Sequence, residues 1–158
     1  MTKVCLILHN IRSGQNVGSI FRSADAVGVK EIYLTGYTPR PLDRFGAPDP
    51  QVAKAALGAE NYVPWQGLMR LSPLLARLRK QDYQIIALEQ SSRAVDYKKV
   101  KLRRPTAIIF GNEIRGIPQS ILKQCDLIAE IPMRGKKESI NVAVAAAVAL
   151  FRWLDLGN

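Results

Sequence analysis

Ile131-Pro132-Met133-Arg134-Gly135-Lys136-Lys137-Glu138-Ser139-Ile140-Asn141, running into Val142 to Phe151, decides the fold. The first residues close an apolar strand predicted over 127–131, the middle is polar and contains glycine, and the last part is a helix without a polar face. Such a helix must be covered on more than one side, by the domain core or by another subunit. A hydroxyl and an amide, Ser139 and Asn141, are therefore held at the mouth of a buried element.

Two other segments share this design of an apolar strand entering a polar turn. Val4 to Leu8 leads into His9-Asn10-Ile11-Arg12-Ser13-Gly14-Gln15-Asn16, and Ala107 to Phe110 leads into Gly111-Asn112-Glu113-Ile114-Arg115-Gly116. In an open α/β sheet, ligands collect where several strands end at their carboxyl side. Asn16, Glu113, Ser139 and Asn141 are thus expected to converge.

Working outward, helix one is predicted over 16–27. Steps of about 100° per residue put Ala24 and Val27 beside Ile20 and leave Arg22 facing away from the core. Gly28 stops that helix, and 31–35 forms the next strand. Pro39, Pro41, Pro48 and Pro50 with Gly46 make 37–50 a surface loop, and loops of that length are often functional. A short helix over 53–57 ends at Gly58. Ser72-Pro73 reads as an N-cap and first turn for a helix through Lys80. Further strands come at 84–88, 107–110 and 127–131, with a basic connector between the first two and a helix at 118–124 before the third. Strands alternating with helices mean a mainly parallel sheet flanked by helices, an α/β fold.

The chain has 158 residues and fits a single domain over 1–158. Lys and Arg outnumber Asp and Glu by 23 to 13, a net charge of +10, which favours a polyanionic partner, with nucleic acid the leading candidate. Cys5 and Cys125 sit in apolar contexts without CxxC spacing and read as buried, reduced thiols of a cytoplasmic protein. With His9 as the only histidine, neither a zinc site nor a Ser-His-Asp triad has material, and no metal is expected. No apolar run approaches the ~20 residues of a membrane span. The nucleotide signatures fail as well. Gly14 and Gly18 have the wrong spacing for GxGxxG, and Gly36 comes after the second strand, where a dinucleotide site has its acidic ribose ligand.

Three ordered motifs remain: Asn16-x-Gly18-x-x-x-Arg22, Phe110-Gly111-Asn112-Glu113-x-x-Gly116, and Ile131-Pro132-Met133-x-Gly135-x-x-x-Ser139-Ile140-Asn141-Val142. Together with Ala24-Asp25-Ala26-Val27-Gly28 and Lys54-Ala55-Ala56-Leu57-Gly58-Ala59-Glu60, they resemble the SpoU/TrmH family of ribose 2′-O-methyltransferases, in the SPOUT superfamily, over nearly the whole chain. The resemblance implies a deep trefoil knot in the carboxyl-terminal part, bound S-adenosylmethionine and a homodimer. Ordinary topology, in which chains do not thread loops, would exclude that knot. Departures from the family pattern are Ala143, where many members have serine, and Ile140, where leucine is usual.

The resemblance implies Arg22, Asn16, Glu113, Ser139 and Asn141 as catalytic residues. A guanidinium is effectively always protonated, so Arg22 is assigned to stabilising the developing alkoxide or holding the neighbouring phosphate. Helix capping is the competing account for Asn16, Ser139 and Asn141, and solvated turn chemistry for Glu113. Leu88, Glu89, Phe110, Gly111, Asn112, Ile131, Met133, Ser139 and Ile140 are expected to wall the cofactor. Lys98, Lys99, Lys101, Arg103 and Arg104 of the connector, with Arg12, Arg134, Lys136 and Lys137, are candidates for phosphate contacts that position RNA. The expected substrate is structured RNA, tRNA before rRNA. The alternative is a non-catalytic RNA-binding protein that keeps the fold.

Overall fold

The computed structural model describes residues 2–102 and 104–154. Seven strands form one parallel sheet: β1 (Val4–His9), β2 (Glu31–Thr35), β3 (Trp65–Leu68), β4 (Gln84–Leu88), β5 (Val95–Asp96), β6 (Thr106–Phe110) and β7 (Leu127–Glu130), in the order β3-β2-β1-β6-β4-β7-β5. Because every pairing is parallel, all strands leave the sheet at the same edge. Alternate side chains feed two cores. Leu6 and Leu8 pack with α1 (Gly14–Ala26), α2 (Pro50–Ala56) and α5 (Val142–Trp153). Cys5 and Ile7 pack under α3 (Leu71–Lys80) and α4 (Gln119–Leu122).

Two strands, β3 and β5, lie outside the sequence expectation. Both are edge strands, too short to show a period. Helix boundaries also move. The α1 helix starts at Gly14, because Ser13 caps it by accepting from Asn16 N at 3.2 Å. The α2 helix starts at Pro50, where Asp49 accepts from Gln51 N and Val52 N and proline suits the first turn. The α3 helix begins at Leu71, with no side-chain cap, so Ser72 is inside it. The expected helix at 118–124 shrinks to Gln119–Leu122. Cys125 is half-buried, not buried, and both thiols are free.

The closing helix α5, which packs beside α1, buries Ala143, Ala146, Ala149, Leu150 and Trp153. Its other face exposes Val144 (51%), Val148 (37%) and Phe151 (52%), in line with Ile140 (39%) one turn before. One chain therefore covers only one side of this helix. No described helix is long and apolar enough to cross a membrane.

Candidate active site

The exits of β4, β6 and β7 open into a cleft of about 320 Å³ whose wall includes all nine residues expected to hold a cofactor: Leu88, Glu89, Phe110, Gly111, Asn112, Ile131, Met133, Ser139 and Ile140. Gly111 has no room for a side chain, since a Cβ there would run into Ile117 and the backbone of Gly116. Glu89 braces the turn by accepting from Ile117 N at 2.9 Å and Gln90 N at 2.9 Å. Gln90 Nε2 donates to the Ile131 carbonyl at 3.0 Å and ties the β4 exit to the β7 exit.

Beside the cleft, three of the expected catalytic residues form a single hydrogen-bonded chain, in which Glu113 and Asn141 line the cleft and Asn16 bridges them from behind. Glu113 Oε1 accepts from Asn16 Nδ2 at 2.9 Å, and Asn16 Oδ1 accepts from Asn141 Nδ2 at 3.0 Å. Asn141 Oδ1 in turn accepts from Ala143 N and Val144 N, capping α5. Each amide is thereby fixed in orientation, with one N–H left outside this chain of bonds. Glu113 also accepts from Arg12 N (2.9 Å) and Ser13 N (3.1 Å). Burial alone would raise its carboxyl pKa, but the amides of Arg12, Asn16 and Ser13 outweigh it and hold the group below its ordinary value of 4.5. Glu113 is thus an ionised anchor, not a base poised near neutrality.

The capping question divides. Asn141 is a cap and a network member at once, whereas the cap of α1 is Ser13, which frees the Asn16 side chain for the network. Glu113 is a half-buried hub, not a solvated turn residue. Ser139 lines the cleft without capping α5.

Arg22 is exposed on α1, six residues beyond Asn16, hence about 9 Å further along the axis. It lines no part of the cleft and has no ion-pair partner among the described residues. The basic connector is divided: Lys98 pairs with Asp96 at 3.5 Å just after β5, whereas Arg104 pairs with Asp82 at 2.7 Å and Asp126 at 3.9 Å, where β4, β6 and β7 enter the sheet. Lys99 and Lys101 are exposed between them, and Arg103 lies outside the described residues. Arg134, Lys136 and Lys137 are exposed on the loop that leads to Ser139, and Arg12 is exposed above Glu113.

Several contributors were absent from the sequence expectation, Gln90 and Glu130 among them. Arg115 and Glu138 line the cleft. Tyr37 holds its wall: Asn112 Nδ2 donates to the Tyr37 hydroxyl at 3.0 Å and to the Asn10 carbonyl at 2.9 Å. The available signal was position, since each lies at or just past a strand exit or sits inside a quoted motif. His9 binds Thr35 Oγ1 at 2.9 Å; burial lowers its pKa, and it does not line the cleft. Among the described residues, no group of three metal-binding side chains exists.

A family model described as the SpoU rRNA Methylase family matches residues 3–151. The chain belongs to that family. It is 35% identical to the tRNA (guanosine(18)-2'-O)-methyltransferase of Escherichia coli strain K12 over 148 residues, which are 94% of this chain and 60% of that enzyme. An AdoMet-bound rRNA methyltransferase from Sinorhizobium meliloti superposes with a TM-score of 0.82 at 27% identity, covering 95% of this chain and 55% of that one. A chain described in connection with 2-OH methylation of C/U34 on tRNA superposes with a TM-score of 0.76 at 27% identity, covering 95% and 93%. The chain therefore spans little more than half the length of the first two relatives, whereas it nearly matches the third.

Proposed function

We propose that this SpoU-family chain transfers a methyl group from S-adenosylmethionine to a ribose 2′-hydroxyl of structured RNA. The observation that carries the reading is the Glu113–Asn16–Asn141 chain beside the cleft. The residues present suit the cofactor. Leu88, Phe110, Ile131, Met133 and Ile140 offer an apolar wall for adenine, the bare Gly111 backbone permits close approach, and Glu89, Glu130 and Glu138 supply acceptors for hydroxyl and ammonium groups. When bound, the cofactor supplies an electrophilic methyl on a sulfonium.

The protein's part is alignment and electrostatics. Ionised Glu113 locks Asn16, and Asn16 locks Asn141, so the Asn141 amide enters the cleft with no rotamer left to settle. Ser139, beside it in the cleft, is placed to bind the acceptor ribose. Arg22 stabilises the developing alkoxide or the adjacent phosphate while the hydroxyl proton is released to solvent water.

Because Arg22 is remote from its own chain's cleft, we assign it to a site completed in a homodimer. The exposed stripe Val144, Val148 and Phe151 continues from Ile140, which lines the cleft, and α1 packs beside α5. A partner seated on that stripe abuts both the cleft and α1. Sedimentation equilibrium at micromolar concentration is expected to show a dimer, and Val148→Asp a monomer; a wild-type monomer would remove Arg22 from the site.

The family's trefoil knot is proposed for the segment from β6 to α5; the position of β4 between β6 and β7 supports it. We further propose one catalytic domain over 1–158, a cytoplasmic location in keeping with two free thiols, and tRNA before rRNA as substrate, supported by the 35% identity to the tRNA (guanosine(18)-2'-O)-methyltransferase and by the likeness to the chain linked to C/U34 methylation on tRNA. Mass spectrometry of nuclease-digested tRNA and rRNA after incubation with labelled S-adenosylmethionine tests the reading. A 2′-O-methylnucleoside is expected in the tRNA digest, and its absence from both pools refutes methyl transfer.

A further inference from the structure

A second hollow, of about 560 Å³, lies directly behind the cleft wall, among Tyr37, Arg40, Leu42, Pro48, Pro50 and Met69. Tyr37 is the partition between the two. Its hydroxyl accepts from Asn112, which lines the cleft, while the residue, 58% exposed, also lines the hollow. The backbone holds it in place, since Tyr37 N donates to Asn10 Oδ1 at 3.3 Å. The hollow also adjoins the catalytic hub, because Ile11 N donates to Thr38 Oγ1 and the next residue, Arg12, donates its N–H to Glu113.

The lining has the chemistry of a base-binding site. Met69 is 76% exposed with a flexible apolar side chain, Leu42 and the prolines add flat apolar surface, and Arg40 lies along β3 over Gly67, where any Cβ would displace it. The carboxylates present are held in turns. Asp43 accepts from Phe45 N and Ala47 N, and Asp49 caps α2. With two carboxylates against one guanidinium, the hollow carries no positive excess, which disfavours a phosphate as its occupant. The cations suited to phosphates stand around it instead: Arg12, and Arg44 stacked at 4.7 Å on exposed Phe45. Aromatic faces beside scattered guanidinium groups are how proteins hold unstacked bases of single-stranded RNA segments.

We propose that this hollow receives an unstacked base of the substrate RNA at or next to the acceptor ribose, with Tyr37 as its stacking platform. The proposal rests on the assignment of RNA as substrate, and the experiment separates the two. Binding of fluorescein-labelled small RNA and rRNA fractions is measured by anisotropy with S-adenosylhomocysteine present, alongside calorimetric cofactor affinity. Tyr37→Ala is expected to weaken RNA binding by about 5- to 100-fold, the usual range for loss of one base stack. Tyr37→Phe, which keeps the ring and loses the Asn112 bond, should stay within about twofold, and Arg40→Gln should lose about two- to tenfold. Cofactor affinity should hold for Arg40→Gln and stay within a few-fold for both Tyr37 variants, because Asn112 keeps its bond to the Asn10 carbonyl. Wild-type-like RNA binding by Tyr37→Ala overturns the proposal, as does equal weakness of Tyr37→Phe and Tyr37→Ala, or failure of the wild type to bind either fraction. RNA binding without any 2′-O-methylnucleoside would refute the enzyme reading while still testing the platform.

Discussion

The turn after β6 and the connector between β5 and β6 are both short, polar and rich in candidate residues, but the fold treats them oppositely. In the turn, Glu113 gathers partners 97 to 101 residues away, and Asn112 reaches Asn10 across 102 and Tyr37 across 75. In the connector, neighbours in sequence are drawn apart. Lys98 stays with Asp96 after β5, whereas Arg104 is tied to Asp82 and Asp126 at the opposite edge of the sheet. A strand of this length separates the two edges by about 16 Å. Parallel strands gather the residues just past their exits and disperse those of a segment that runs from an exit back to an entry, so adjacency in sequence misleads where strand polarity does not.

The largest test of that contrast is Arg22, which belongs to neither region of its own chain. Arg22→Ala should lower the rate of methyl transfer by about 10²–10³, the usual cost of one electrostatic group, and leave cofactor affinity within a few-fold. Near-normal turnover by the folded variant would show that the exit-edge cluster works without it.

Within the cluster, Glu113→Gln puts an amide NH₂ among three N–H donors. At least one donor loses its acceptor, at about 1–3 kcal/mol, toward the lower end because the site is half exposed. Thermal denaturation should show a drop of about 3–6 °C. The sign with pH comes from the lowered carboxyl pKa. The stabilisation is complete above the ordinary value of 4.5 and is lost as pH falls through the lower folded value. Wild type should therefore lose stability below pH 4.5 more steeply than Glu113→Gln, and parallel curves would mean that the hub is not coupled to folding.

Asn141→Ala removes the α5 cap and the link to Asn16 together. A cap alone is worth about 0.5–2 kcal/mol. Urea unfolding should report a loss in that range, with methyl transfer reduced beyond what stability explains. Asn141→Asp, which keeps the acceptor for Ala143 N and Val144 N but cannot donate to Asn16, should restore stability better than activity.

The smallest effects belong to the connector. Each lost phosphate contact changes the log-log salt slope of RNA binding by about 0.7 to 0.9. Lys99→Gln with Lys101→Gln should therefore flatten the slope by up to about twice that, whereas Arg104→Gln, already paired with two carboxylates, should leave it unchanged. A slope change for Arg104→Gln would return the whole connector to the RNA surface.

Most of the sheet was legible because five strands are apolar runs bounded by turn residues, and the cleft wall could be read from which segments end at strand exits. The edge strands Trp65–Leu68 and Val95–Asp96 were not, since their residues are only partly buried or exposed and show no clean alternation. The cap of α1 was misplaced by three residues because Ser13 and Asn16 are both good N-caps. Only the backbone path decides which one faces the free N–H groups. Tyr37 escaped notice because its role depends on Asn112, 75 residues away.

By itself, the sequence determined the parallel α/β architecture, the family, and the residue types that meet at the strand exits, since burial periodicity and ordered motifs are local properties of a chain. The tertiary structure alone decided that Glu113, Asn16 and Asn141 form one hydrogen-bonded line, that Arg22 lies outside it, and that Arg104 is neutralised at the far edge. Those outcomes depend on distances between segments about a hundred residues apart, and such distances are set by strand order and helix packing, which no local pattern encodes.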